Sequence, residues 1–126
     1  MENLVVGLIR GRHDMPCDKY IFDSGVRDIF DYRGIRNHIK RFIRENIEVE
    51  CNPVFDGCTS YGDTFEYKSN KRLIVYVTGL SCVLAELISA CACDGIDLTL
   101  MHYNAETEMY EPQEMRFPRV FYNSEY

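Results

Sequence analysis

Several absences narrow this 126-residue chain before any of its motifs are read. Its six cysteines, Cys17, Cys51, Cys58, Cys82, Cys91 and Cys93, form no C-x-x-C pair and no cysteine–histidine zinc spacing, so neither a redox dithiol nor a zinc module is expected. No nucleophile elbow, metal triad or paired-carboxylate motif stands out, and Thr78-Gly79-Leu80-Ser81 matches no dinucleotide or Walker fingerprint. There is no basic excess: 14 Lys and Arg face 20 Asp and Glu, and a net charge of −6 argues against coating a nucleic-acid polymer. Met1-Glu2-Asn3 lacks a basic n-region and the apolar run 4–9 is short, so no secretory leader is expected. The cysteines are then expected as free thiols in a cytoplasmic compartment. Residues 73–93 carry Glu86 as their sole charge but change from β-branched to Ala/Leu character across Thr78-Gly79, which reads as a buried strand and helix rather than a membrane span. No repeat or low-complexity segment is present.

What is there reads as one α/β domain over 1–126 with a small mixed sheet. Its centre is a βαβ unit: strand 73–77, a glycine turn, helix 81–93, an Asp94-Gly95 stop and strand 97–103, the crossover making the two strands parallel. Residues 3–9, an apolar run without alternation, read as a further buried strand. A small edge strand is expected near 19–22. An amphipathic helix over about 28–46 shows an apolar stripe through Ile29, Phe30, Ile35, Ile39, Phe42 and Ile43, capped by Asp28 or Asp31. Its other face is cationic, with Arg33, Arg36, Lys40, Arg41 and Arg44; it suits a solvated surface, an anion site or an acidic subunit partner. A short strand over 64–67 is expected to pair with 73–77 through Ser69-Asn70-Lys71, the turn 104–108 to open a C-terminal hairpin, and 119–122 to form a last strand or docked tail. The helix 81–93 is apolar nearly all round, which predicts cover on more than one side and hence a homo-oligomer.

Three strand ends carry the candidate chemistry. Arg10, Arg12 and His13 follow the first strand; Thr78, Gly79, Leu80 and Ser81 follow the second, where Thr78 or Ser81 can cap a helix start; His102, Tyr103 and Asn104 close the third. If the strands are parallel neighbours, one sheet edge gathers guanidinium forks for phosphate, free helix N–H groups, an aromatic face and an amide. Arg116 adds a cation near aromatics. That set suits a small phosphate-bearing nucleotide bound without turnover, and it calls for no cofactor, metal or catalytic residue. Each part also has a plain structural reading: a common strand–helix junction, a solvated basic loop with Arg12 paired to Asp14, and a hydrogen-bonded histidine. The enzymatic alternative is a phosphodiesterase with His13 and His102 as base and acid.

The runs Val6-Gly7-Leu8-Ile9-Arg10-Gly11-Arg12-His13-Asp14-Met15-Pro16, Tyr76-Val77-Thr78-Gly79-Leu80, Leu98-Thr99-Leu100-Met101-His102-Tyr103-Asn104 and Tyr110-Glu111-Pro112-Gln113 together resemble the first family of phage Thoeris anti-defence proteins. The resemblance covers 4–22 and 73–115. It implies an oligomeric sponge in the host bacterial cytosol that binds a cyclic ADP-ribose isomer made by a TIR-domain enzyme and leaves it intact. It further implies that some members hold cyclic oligonucleotides of CBASS systems at separate sites. No individual ligand contact of the family carries over, so the candidate residues remain those of the strand ends.

Overall fold

A computed structural model of the chain describes residues 1–11, 14–53, 64–118 and 120–122, with the backbone alone at 64 and 120–122. Arg12 and His13, Cys58, Arg119 and the turn signals at 56–57 and 61–63 lie outside the described residues. The fold is mixed α/β. In chain order the elements are β1 (Glu2–Ile9), β2 (Tyr20–Phe22), α1 (Tyr32–Asn46), β3 (Val49–Pro53), β4 (Thr64–Ser69), β5 (Lys71–Tyr76), α2 (Ser81–Asp94), β6 (Leu98–Asn104), β7 (Met109–Met115) and β8 (Val120–Tyr122).

The larger sheet runs β2-β1-β5-β6-β7, its first four strands parallel and β7 antiparallel as the return of a hairpin. The steps β1→β5 and β5→β6 move the same way across the sheet. Right-handed crossovers therefore put α1 and α2 on one face, where they pack on each other. Alternate residues of the central strands fill that face: Val6, Leu8, Leu73, Val75, Leu98 and Leu100 are at most 2% exposed. Each contributes roughly 1.5–3 kcal/mol by leaving water. They join Ile35, Ile39 and Ile43 of α1 and Val83, Leu87 and Cys91 of α2 in one apolar cluster.

The step β1→β2 moves the other way, so the same handedness sends its connection over the helix-free face. Gly7 records that crossing. A Cβ there would lie 2.5 Å from Cδ1 and Cε1 of Tyr20 and 3.1 Å from Sγ of Cys17, so only glycine lets the connection close down on the sheet.

The two helices start differently. Asp31 caps α1, its Oδ1 accepting the Gly34 N–H at 3.1 Å. The helix thus begins at Tyr32 and not at 28: Asp28 turns its carboxylate to the Phe30 N–H at 2.9 Å and closes a separate turn upstream. Phe30 leaves the expected apolar stripe and is 67% exposed. At the start of α2, Leu80 occupies the N-cap position with no side-chain hydrogen bond, and no acidic residue lies in the first turn. The expected capping by Thr78 or Ser81 does not occur. α2 ends at Gly95, whose φ of 62° and ψ of 32° provide the left-handed stop. Its all-round apolar character is partly absorbed within the chain, since Leu84 and Ile88 pack against the core cluster. Arg36 of α1 also covers Glu86 through a hydrogen bond of 2.7 Å.

The strand over 64–69 corrects a second expectation. β4 does not pair with β5; it is the middle of a separate antiparallel sheet, β3-β4-β8. Asn70 explains the break. Its N–H donates to the Glu48 carbonyl at 3.0 Å and its Oδ1 accepts the Glu48 N–H at 2.9 Å, tying the end of β4 to the start of β3. The chain then enters the larger sheet at Lys71 instead of folding back on β4. No helix among the described residues is long and apolar enough to cross a membrane.

Candidate functional site

The carboxyl ends of β1, β5 and β6 do lie side by side, because those strands are parallel neighbours in register. This edge is where parallel sheets place ligands. Gly7 pairs with both Tyr20 and Tyr76, and Tyr103 pairs with Tyr110, so four tyrosines cross the helix-free face just below it. The Tyr76 and Tyr110 rings meet edge to face with centroids 4.7 Å apart, and the Tyr103 and Tyr110 centroids are 5.4 Å apart. Burial, then the neighbouring phenols of Tyr103 and Tyr76, pushes the Tyr110 hydroxyl above its ordinary value, so it stays a donor through neutral pH.

Beside these rings opens a cleft of about 560 Å³, within the size range of small-molecule sites. Tyr103 and Tyr110 form one wall; Val77, Thr78 and Gly79, the lead-in to α2, form another; Asp14 and Met15 close it. Three features of the α2 side favour an anion. The helix start has no side-chain cap and no acidic residue in its first turn, leaving its first N–H groups without a side-chain acceptor. Gly79 has open space where a Cβ would stand. The Thr78 Oγ1 is buried with no hydrogen-bond partner among the described residues, and a buried hydroxyl without a partner costs about 1–3 kcal/mol.

The other sequence-derived candidates divide. Arg10 is on the same edge, but its guanidinium turns toward β2. Its Nε donates to Asp23 Oδ1 at 2.7 Å and its Cζ stacks 4.5 Å from the Tyr20 ring centroid. The Asp23 hydrogen bond raises its pKa further, so it is a permanent cation beside the aromatic band rather than in the cleft. Leu80 and Ser81 are exposed at the helix start and do not line the cleft. His102 is a correction. Strand alternation puts it on the face of Leu98 and Leu100, opposite Tyr103, and its Nε2–H donates to Gln113 Oε1 at 2.8 Å. Asn104 is spent on the hairpin turn, its Oδ1 accepting the Glu106 N–H at 3.0 Å. Arg116 is a larger correction. It follows Met115, which pairs with Leu98 at the start of β6, and lines a crevice with Arg72, Asp97 and Glu114. That is the opposite edge of the sheet, roughly 20 Å away at 3.3 Å per residue.

Tyr110, Tyr76 and Tyr20 were missed from the sequence. A hairpin turn over 105–108 places Tyr110 across from Tyr103, so the expected hairpin already contained that signal. Two other hollows carry more charge. One, of about 400 Å³ at the start of α1, presents Asp23, Asp28 and Asp31. The other, of about 530 Å³, balances Lys40 and Arg44 against Glu48 and Asp94. Among the described residues no group of three or more His, Cys, Asp or Glu side chains is placed to hold a metal ion. Compared with known proteins, the chain matches no family model, no curated protein and no solved structure.

Proposed function

We propose that this chain captures a cyclic nucleotide immune signal without cleaving it, acting in the bacterial cytosol as a phage counter-defence sponge. The observation that carries the reading is the uncapped start of α2. Its lead-in, Val77 to Gly79, lines a cleft walled by Tyr103 and Tyr110, with open space at Gly79 and a buried, unpartnered Thr78 hydroxyl. Phosphate oxygens accept from the helix N–H groups and the Thr78 hydroxyl, and a base stacks on the exposed Tyr103 ring. Arg10 reaches the phosphates by exchanging the Asp23 carboxylate for a phosphate oxygen, a geometry its planar fork suits. A cyclic ADP-ribose isomer is the first ligand to try, with cyclic oligonucleotides next. That choice follows from the resemblance to the Thoeris anti-defence family in 4–22 and 73–115.

The test is incubation of the protein with cyclic ADP-ribose isomers, followed by heat denaturation and chromatography of the released ligand. Binding with intact ligand recovered is expected. A linearised or hydrolysed product would overturn the reading in favour of a phosphodiesterase, for which the Gln113-bound His102, on the face away from Tyr103, offers poor geometry.

A further inference from the structure

Acidic residues outnumber basic ones in this chain, 20 to 14, yet one side of α1 carries cations alone. Burial of Ile35, Ile39, Phe42 and Ile43 puts Arg33, Asn37, Lys40, Arg41 and Arg44 on the outer side of that helix. Arg33, Arg41 and Arg44 are exposed and Lys40 is partly so. The row runs roughly 16 Å from Arg33 to Arg44, at 1.5 Å per residue. None of its four cations forms an ion pair with a described residue; the guanidinium that does, Arg36, lies to one side and reaches Glu86. Arg41 comes closest to a partner, with Nη2 3.4 Å from Nδ1 of His38. Lys40 and Arg41 each lie within one turn of Arg44, like-charge neighbours that destabilise a helix unless something outside it answers them.

At its upstream end the row meets an apolar anchor. Phe30 is 67% exposed and Tyr32 49% exposed. A closed turn fixes the backbone that carries the Phe30 ring: its N–H donates to Asp28 Oδ1 at 2.9 Å, and the Asp31 N–H donates to the Asp28 carbonyl at 3.2 Å. Phe30 and Tyr32 share a hollow of about 560 Å³ with Arg33, Arg36, Asn37 and the capping Asp31, so the rings and the first cation of the row form one surface. Exposed aromatic rings beside arginine are the composition of a protein–protein hot spot.

We propose that this surface docks an acidic α-helix of a different protein, its carboxylates along one side and an apolar side chain one turn beyond them. Charge complementarity selects the carboxylates. A helix is selected because an extended peptide needs a sheet edge for its main-chain hydrogen bonds, and the backbone groups of α1 are already paired within the helix. Carboxylates at i, i+4, i+7 and i+11 of the partner run alongside the row from Arg33 to Arg44. Nucleic acid and lipid fit less well. A single strand stacks successive bases along its length and an interfacial helix inserts a row of apolar side chains, whereas both rings here lie together at one end. The net charge of −6 also repels an extended polyanion. None of these residues lines the tyrosine cleft, so the surface stands apart from the ligand reading.

The experiment is fluorescence anisotropy of labelled, end-capped Ala-rich peptides of about 20 residues, long enough to be helical alone. One carries Glu at i, i+4, i+7 and i+11 with a Leu one turn beyond each end. A second has the same composition with its Glu residues spread round the helix, and a third has Lys in place of Glu in the stripe. At about 0.05 M salt the full chain is expected to bind the Glu-striped peptide with micromolar affinity and the spread peptide at least about tenfold more weakly. Arg33→Glu/Arg41→Glu/Arg44→Glu is expected to lose the Glu-striped peptide and take up the Lys-striped one, and Phe30→Ala to weaken binding about tenfold. No binding of the Glu-striped peptide, equal binding of the two Glu peptides, or a Phe30→Ala chain that binds like the wild type would each overturn the proposal. So would tighter binding of oligothymidylate or phosphatidylglycerol vesicles that the triple variant loses. Melting curves check folding; if the triple variant does not fold, Arg41→Glu/Arg44→Glu takes its place with the same expectations.

Discussion

α1 and α2 are helices of nearly equal length on the same face of one sheet, and they differ at both ends of the argument. α1 is polar on its outer side and closed at its start, where the Asp31 carboxylate accepts the Gly34 N–H. α2 is apolar, anchored through Val83, Leu87, Ala90 and Cys91, and open at its start, where Leu80 caps nothing. The contrast teaches that the position of a helix in a parallel sheet does not by itself make an anion site. Both helix starts follow a parallel strand, yet one is already answered by its own carboxylate. Packing holds α2 in place, so its N-terminal donors remain open.

The contrast is broken most severely in the anchoring of α2. Leu87 is fully buried, so Leu87→Ala is expected to lower unfolding stability by about 3 kcal/mol, whereas Arg44→Ala on the exposed side of α1 stays within roughly 0.5 kcal/mol. Denaturant titration with matched slopes measures both.

Exchanging the two helix starts is the sharper test. Leu80→Asp installs the carboxylate that α2 lacks at an extended N-cap position. It is expected to raise stability by about 1 kcal/mol and to weaken nucleotide binding at least about tenfold, because the new carboxylate occupies the N–H groups and repels phosphate. A Leu80→Asp chain that is stabilised but binds as before would remove the α2 start from the site. The reciprocal change, Asp31→Ala, is expected to cost about 1 kcal/mol of stability and leave ligand affinity unchanged. Calorimetry on the same samples reads both quantities.

A last effect, confined to alkaline pH, concerns the buried face of α2. Burial pushes the Cys91 thiol from its ordinary value of 9.0 up to about 12. Above pH 9 the unfolded chain releases this proton while the folded chain keeps it, so the unfolded state binds fewer protons and stability falls as pH rises from 9 toward 12. Thermal melts over that window are expected to show a decline that Cys91→Ala reduces. Below pH 9 Cys91 is expected to resist alkylation in the folded chain, while exposed Cys93 reacts.

The sequence carried the elements whose signals are local. The βαβ unit was legible because its strands, its Ala/Leu helix and the Asp94-Gly95 stop each follow from neighbouring residues, and Gly95 has the left-handed backbone that stop requires. The start of α1 stayed open between two positions because Asp28 and Asp31 are both competent caps and only their different backbone partners separate them. β4 was assigned to the wrong sheet because a short connection favours its neighbour in sequence, whereas Asn70 ties it to Glu48, 22 positions earlier.

The site divided along the same line. Which residues follow strand ends is a property of the chain, and so the edge bearing Thr78, Gly79, Tyr103 and Arg10 was readable in advance. Which way a side chain faces at that edge depends on register and on partners distant in sequence. Tertiary structure alone turned Arg10 toward Asp23, placed His102 behind the sheet, sent Arg116 to the opposite edge and set Tyr76 against Tyr110. A one-residue step in a strand reverses the face, and a hairpin return reverses the end, so composition and spacing cannot supply what pairing decides.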